Sequence, residues 1–120
     1  MTTKRQARVA QQILETLSEL VGFEVRDPRV AGVSLLDVEV DRELRYAKVY
    51  VHDLEGPDVK EEVLAGLVSA AGYLRRELAL RLSLRHTPEL RFIWDDTPER
   101  ASTIDQLLAS LDNEPVDDDE

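Results

Sequence analysis

Two runs of alternating hydrophobicity lie close together in the first half of the chain, VSLLDVEV at 33–40 and YAKVYVHD at 46–53. Side chains on a strand alternate between its two faces, so a period of two marks a strand with one side turned to a core. In the second run Ala47, Val49 and Val51 fall on one side, and Tyr46, Lys48, Tyr50 and His52 on the other. In the first run Leu36, Val38 and Val40 share a side opposite Asp37 and Glu39. Val33 and Leu35 are out of phase with them, which calls for a bulge near Leu35. DREL at 41–44 connects the runs, and the two strands are expected to pair as an antiparallel hairpin.

Helical periodicity flanks the hairpin. Over residues 5–21, Val9, Ile13, Leu17 and Leu20 recur along one stripe, widened by Ala10, Leu14 and Val21, and Gly22 is a natural stop. The opposite face carries Lys4, Arg5 and Arg8 at its amino end, where the macrodipole disfavours cations by about 0.3–1 kcal/mol. Two readings fit that broken rule: solubility with local pairing, or phosphate contact. RDPR at 26–29 is a turn, because Pro28 pushes Asp27 out of the helical region. Asp58 with Glu61 reads as a capping-box start, and the stripe Val63, Leu64, Leu67, Val68, Ala71, Leu74, Leu78, Leu82 follows. Near Leu80–Leu84 the period becomes two and the helix should end. A third strand is expected within 87–96, with either Leu90, Phe92 and Trp94 or Ile93 turned inward. Thr97 then caps a last helix, with Pro98 at its first position and Ala101, Ile104, Leu107, Leu108 and Leu111 along one side. Residues 112–120 read as a disordered acidic tail.

A chain of 120 residues with 42% apolar content makes one domain. No apolar run approaches a membrane span, and MTTKRQARVAQQ lacks the apolar core of a secretory signal, so a cytoplasmic protein is expected. The absence of cysteine removes disulfides, thiolate zinc sites and cysteine nucleophiles. His52 and His86 make no metal-ligand spacing with a carboxylate. Asp95 and Asp96 beside Glu99 fit a solvated strand end better than a proton-sharing pair, and no phosphate-binding loop or dinucleotide fingerprint occurs. The expectation is a non-enzyme with no cofactor, no metal and no small-molecule substrate. The net charge of −10 argues against indiscriminate nucleic-acid binding, but it is unevenly spread. Six acids lie in the last nine residues, while residues 1–11 hold three bases and no acid.

The order α-β-β-α-α-β is that of the KH domain in its second topological form. KH domains grip a nucleic-acid backbone with a G-x-x-G loop between two helices. The glycines here are 22, 32, 56, 66 and 72, and no pair stands three apart. Ala70-Ala71-Gly72 occupies the place of that loop. A glycine inside a helix costs about 1 kcal/mol relative to alanine, and such sites are where helices bend. Ala70 and Gly72 therefore suggest a helix–kink–helix joint that aims Arg75 and Arg76. The alternative is that Gly72 permits close packing on the sheet. Arg75 and Arg81 would flank the Leu74–Leu78–Leu82 stripe, with Arg76 pointing away. Snorkelling arginines at a core margin would follow the same pattern.

Taken in order over about residues 5–108, RVAQQI, DPR at 27–29, VEVDRELRYAKVYV, AAG at 70–72 with YLRREL after it, and PELRFIWD at 88–95 resemble the bacterial ribosome-binding factor A family. The resemblance implies an α+β, type II KH-like domain over 1–96 with a three-stranded sheet and an Ala-x-Gly kink, followed by a C-terminal helix over 97–111. It implies a monomeric, non-enzymatic assembly factor, most needed in the cold, that binds the free small ribosomal subunit and assists maturation of its 16S rRNA, including the 5′ region. Arg75 and Arg85 fall where the family tends to be basic. Leu80 and Ser83 lack a base expected there, and Arg76 and Arg81 stand close enough to compensate. With the amino-terminal Lys4, Arg5 and Arg8, these form the expected RNA-binding set. The alternative is a KH-like protein-interaction module that makes no RNA contact.

Overall fold

The computed structural model describes residues 2–113. Helix α1 spans Lys4–Phe23 and opens with a capping box. The Thr3 hydroxyl accepts from the Gln6 amide at 3.0 Å, and Gln6 Oε1 accepts from the Thr3 amide at 3.0 Å. Two donors that the helix cannot satisfy are thereby met. A 3₁₀ turn at Pro28–Val30 leads into strand β1, Val33–Val40, and then β2, Tyr46–Asp53. Helix α2 spans Lys60–Arg81, strand β3 Glu89–Trp94, and helix α3 Thr97–Asn113. The sheet has the order β1-β2-β3, with β1 antiparallel and β3 parallel to the central strand.

The core lies between one face of this sheet and the stripes of α1 and α2. Ala47, Val49 and Val51 of β2 are fully buried, as are Ile13, Leu17 and Leu20 of α1 and Leu67, Leu74 and Leu78 of α2. Leu90 is buried too, and Phe92 packs against the same cluster, which settles the inward face of β3. The fold is the expected α+β, KH-like one, and the limits of β1 and β2 match the two alternating runs.

Three local expectations are corrected. The pairing of β1 with β2 shifts between Leu35 and Asp37, so the bulge exists and consumes Leu36. Leu36 is 41% exposed, while Val33 and Leu35 join Val38 and Val40 against the core. An extra residue in a period-two run moves everything before it to the other face. The capping box expected at Asp58 and Glu61 does not form. Those residues lie in and after a 3₁₀ turn, Pro57–Val59, and Val59 caps α2 without a side-chain hydrogen bond. Ala70 and Gly72 lie inside α2, which is one continuous helical segment from Lys60 to Arg81. Leu67, Leu74 and Leu78 anchor both halves of α2 in one core, and that burial exceeds the roughly 1 kcal/mol cost of one glycine. Finally, α3 continues through Asn113, into the start of the acidic segment; the remainder of the tail expected at 112–120 lies outside the described residues.

The glycine that helix packing requires is Gly66, not Gly72. A Cβ on Gly66 would stand 2.8 Å from Val30 Cγ1 and 3.0 Å from Arg29 Cβ, where α2 crosses the Pro28–Val30 turn. At Gly72 the nearest such atom is the Arg76 guanidinium, 4.0 Å away.

A polar tie joins the far ends of the two core helices. Arg81 Nη2 donates to Glu24 Oε2 at 2.8 Å, and the Tyr73 hydroxyl donates to Glu24 Oε1 at 3.0 Å. Glu77, one turn before Arg81, stands 3.3 Å from the same guanidinium nitrogen. The Arg81 hydrogen bond first, and the Tyr73 one second, hold the Glu24 carboxyl below its ordinary value of 4.5.

Two predictions follow from this packing. Gly72→Ala should raise stability by about 1 kcal/mol, the helix-propensity difference, while Gly66→Ala should lower it by about 1–3 kcal/mol through overpacking. Urea midpoints of the two variants check both, and a stabilising Gly66→Ala would refute the close crossing. The depressed Glu24 carboxyl contributes stability that is present above pH 4.5 and lost as pH falls through its lower folded value. Glu24→Gln should therefore cost more at pH 6 than at pH 3. Equal costs at the two pH values would show that the tie does not form.

Candidate nucleic-acid interface

The first helix and the segment leaving α2 are 60 to 80 residues apart in sequence, yet they form the two walls of one groove. Its volume is about 460 Å³, and Arg5, Arg8, Val9, Gln12, Arg81, Leu82, Ser83, Leu84 and Arg85 line it. The cause is the core: α1 packs on β1 and α2 on β3, with the buried side chains of β2 between them, and the segment leaving α2 runs back along the amino half of α1. Leu82 and Leu84, half-buried against that core, anchor the exit segment and leave Ser83 and Arg85 exposed.

A second hollow of about 410 Å³ continues the first. Arg5 and Arg85 belong to both, and Arg42, Glu43, Leu44, Arg45 and His86 complete it. The hairpin connection presents Arg42 and Arg45 through an unusual turn. Leu44 has φ of 59°, in the left-handed region, and is only 6% exposed. That conformation costs about 1–2 kcal/mol, and burying a leucine returns about 1.5–3 kcal/mol, so the turn holds. Asp41 braces it, its Oδ1 accepting from the Arg45 amide at 2.6 Å and the Tyr46 amide at 2.8 Å. The Tyr46 amide is the main reason the Asp41 carboxyl lies below its ordinary range. With Leu44 turned in, its neighbours Arg42 and Arg45 are exposed on either side.

The structure thus brings together Arg5, Arg8, Arg81 and Arg85 from the expected set and separates the others. Arg5, Arg8, Arg42, Arg45 and Arg85 have no ion-pair partner among the described residues. Arg81 is held by Glu24 and Glu77, with Glu19 at 3.9 Å, so its charge is largely answered within the protein. Arg75 is a structural tie. Its Nε donates to the Pro88 carbonyl at 3.1 Å and its Nη2 to the Thr87 carbonyl at 2.9 Å, pinning the approach to β3 against α2. Lys4 and Arg76 are exposed but line neither hollow.

Arg42 and Arg45 lie outside the set expected from the sequence. The available signal was an apolar residue, Leu44, inside a polar five-residue connection: it had to be buried, which turns the arginines around it outward. The interface is a cationic groove of separated guanidinium groups. Such forks bind phosphate oxygens by charge-assisted hydrogen bonds and carry no base-specific pattern. Among the described residues no group of His, Asp and Glu side chains is placed to hold a metal ion.

Comparison with known proteins agrees with this architecture. The family model for ribosome-binding factor A matches residues 5–108. The chain is 42% identical over 104 residues to ribosome-binding factor A of Aromatoleum aromaticum, covering 87% of this chain and 82% of that one. It is 47% identical over 105 residues to that of Alcanivorax borkumensis, covering 87% and 77%. Among solved structures, the crystal structure of ribosome-binding factor A from Thermus thermophilus superposes with a TM-score of 0.66 at 26% identity, covering 73% of this chain and 93% of that one. A homology model of the Thermus protein, fitted into a cryo-EM map of its complex with 30S, gives 0.62 at 27% identity, with 73% and 93% covered. The KH-like sheet with two helices on one face, and a family match that runs from the first helix into the last, place this chain in the ribosome-binding factor A family.

Proposed function

We propose that this protein binds the free small ribosomal subunit through the paired arginine hollows and assists maturation of 16S rRNA, including its 5′ region, as a monomeric cytoplasmic factor without catalytic activity. The observation that carries the reading is the sharing of Arg5 and Arg85 between two adjoining hollows, so that guanidinium groups from α1, the hairpin turn and the exit of α2 form one track. The complex from which the Thermus relative's coordinates come supports the choice of partner.

In this mechanism Arg5, Arg8, Arg42, Arg45 and Arg85 contact successive phosphates of a folded rRNA segment. Lys4 and Arg76 add to the field from outside the hollows. Arg81 lends one face of a guanidinium whose other contacts hold the helices together. Recognition is by the spacing of phosphates and not by base identity. A factor of this kind favours one arrangement of the rRNA over another by the difference in its affinity for the two.

Co-sedimentation with purified small subunits tests the reading. Charge reversal at Arg5 and Arg85 together should weaken binding at least tenfold, and Arg76→Glu should weaken it much less. Engagement of about four to six phosphates gives a slope of log affinity against log salt of roughly −3 to −5. Binding that ignores salt, or that survives the double reversal, would favour a protein-interaction module that does not touch RNA.

A further inference from the structure

Helix α1 separates two grooves of opposite character. Arg5, Arg8 and Gln12 stand on one flank, and Ala7, Ala10, Gln11 and Leu14 on the other. This second flank and strand β1 enclose a groove of about 500 Å³ whose lining includes Asp37 and Glu39 and no basic side chain. Strand β1 is an edge of the sheet, and an open edge is a template for another strand.

The hydrogen bonds along that edge define what can still pair there. The Asp41 amide donates to the Tyr46 carbonyl of β2. By the alternation of an antiparallel ladder, Val40 and Val38 then turn their backbone groups away from β2, toward the groove. Two of those four groups are occupied. Gln6 Nε2 donates to the Val40 carbonyl at 3.1 Å, and the Val38 amide donates to Asp37 Oδ1 at 2.9 Å. The Val38 carbonyl and the Val40 amide have no partner among the described residues. They flank Glu39, and this acceptor–donor pair is the one that a single residue of a parallel strand uses. An antiparallel strand would need both groups of Val38 or both groups of Val40, and each residue has one taken.

Charge decides the occupant. Asp37 and Glu39 also border a neighbouring hollow with Asp95 and Asp96, which extends the acidic rim on that side, while Glu39 borders another with Lys48 and with Arg91, itself paired with Glu89. The one base bordering the first of these hollows, Arg100, is paired with Asp96 at 2.6 Å. A phosphate backbone is repelled by such a rim, while an extended chain carrying lysine or arginine complements it. The small side chains of Ala7 and Ala10 leave room on the helix flank for an added backbone. We infer that the α1–β1 groove docks an extended basic polypeptide segment as an added strand parallel to β1, by the strand-addition mode of peptide recognition. This surface is separate from the arginine track, and a factor with both could hold RNA on one flank of α1 and a basic protein segment on the other.

The probe is a ten-residue peptide of alternating lysine and threonine with blocked ends, titrated into the full-length, ¹⁵N-labelled protein and followed by amide spectra. The Val40 amide should shift and gain protection from hydrogen exchange. A nitroxide on the peptide's amino end should broaden amides near Val33 more than those near Asp41. Ala7→Arg, at an exposed helical position, should weaken binding at least tenfold, and Asp37→Asn with Glu39→Gln at least threefold. Binding should persist in the Arg5→Glu, Arg85→Glu protein, which separates this surface from the rRNA reading. An unmoved Val40 amide, indifference to Ala7→Arg, or the same amide shifts with a ten-nucleotide uridine strand would each overturn the docking. Broadening in the reverse order would overturn the parallel orientation.

Discussion

The burial of β2 under two helices is the constraint from which the rest follows. Ala47, Val49 and Val51 present one narrow apolar face, and neither α1 nor α2 alone covers it. Each large aliphatic side chain placed there contributes about 1.5–3 kcal/mol, which fixes where both helices lie. The arginine groove is a by-product of that packing. It forms where the segment leaving α2 runs back along the amino half of α1.

Net charge misleads for a molecule arranged in this way. The chain is strongly acidic as a whole, yet the groove holding Arg5, Arg8, Arg81 and Arg85 has no acid in its lining, and the groove across α1 that holds Asp37 and Glu39 has no base. At physiological salt, charges screen one another over about 8 Å. A ligand in the Arg5–Arg85 hollows therefore responds to the guanidinium groups around it more than to carboxylates on the far side of α1. The same screening lets the acidic flank act on its own neighbourhood. The internal pairing of Arg81 with Glu24 and Glu77 also shows that counting arginines overstates the free positive charge.

Strands β1 and β2 were legible because an alternating run has one solution once a face is buried, and even the bulge left its mark in the phase of Val33 and Leu35. Leu36 was assigned to the wrong side because a bulge can be detected from phase without revealing which residue it consumes. The start of α2 was misplaced because Asp58 and Glu61 have capping spacing, but Gly56 and Pro57 wind the chain into a 3₁₀ turn first. Of the site, the basic character of Arg5, Arg8 and Arg85 could be read from their positions, but their adjacency could not. It depends on a contact between segments far apart in the chain. The contribution of Arg42 and Arg45 rests on a left-handed leucine, for which no local rule exists.

The double hydrogen bond from Arg75 to the Thr87 and Pro88 carbonyls has an experimental corollary. It closes a loop that contains Arg81, Arg85 and His86, so the guanidinium acts as a clasp on the strand that bears the outermost cationic groups. Truncating it would strand two acceptors and slacken the loop, and affinity for a polyanion would drop by that route alone. A scan of single substitutions would thus read the loss of this clasp as the loss of a contact to the ligand.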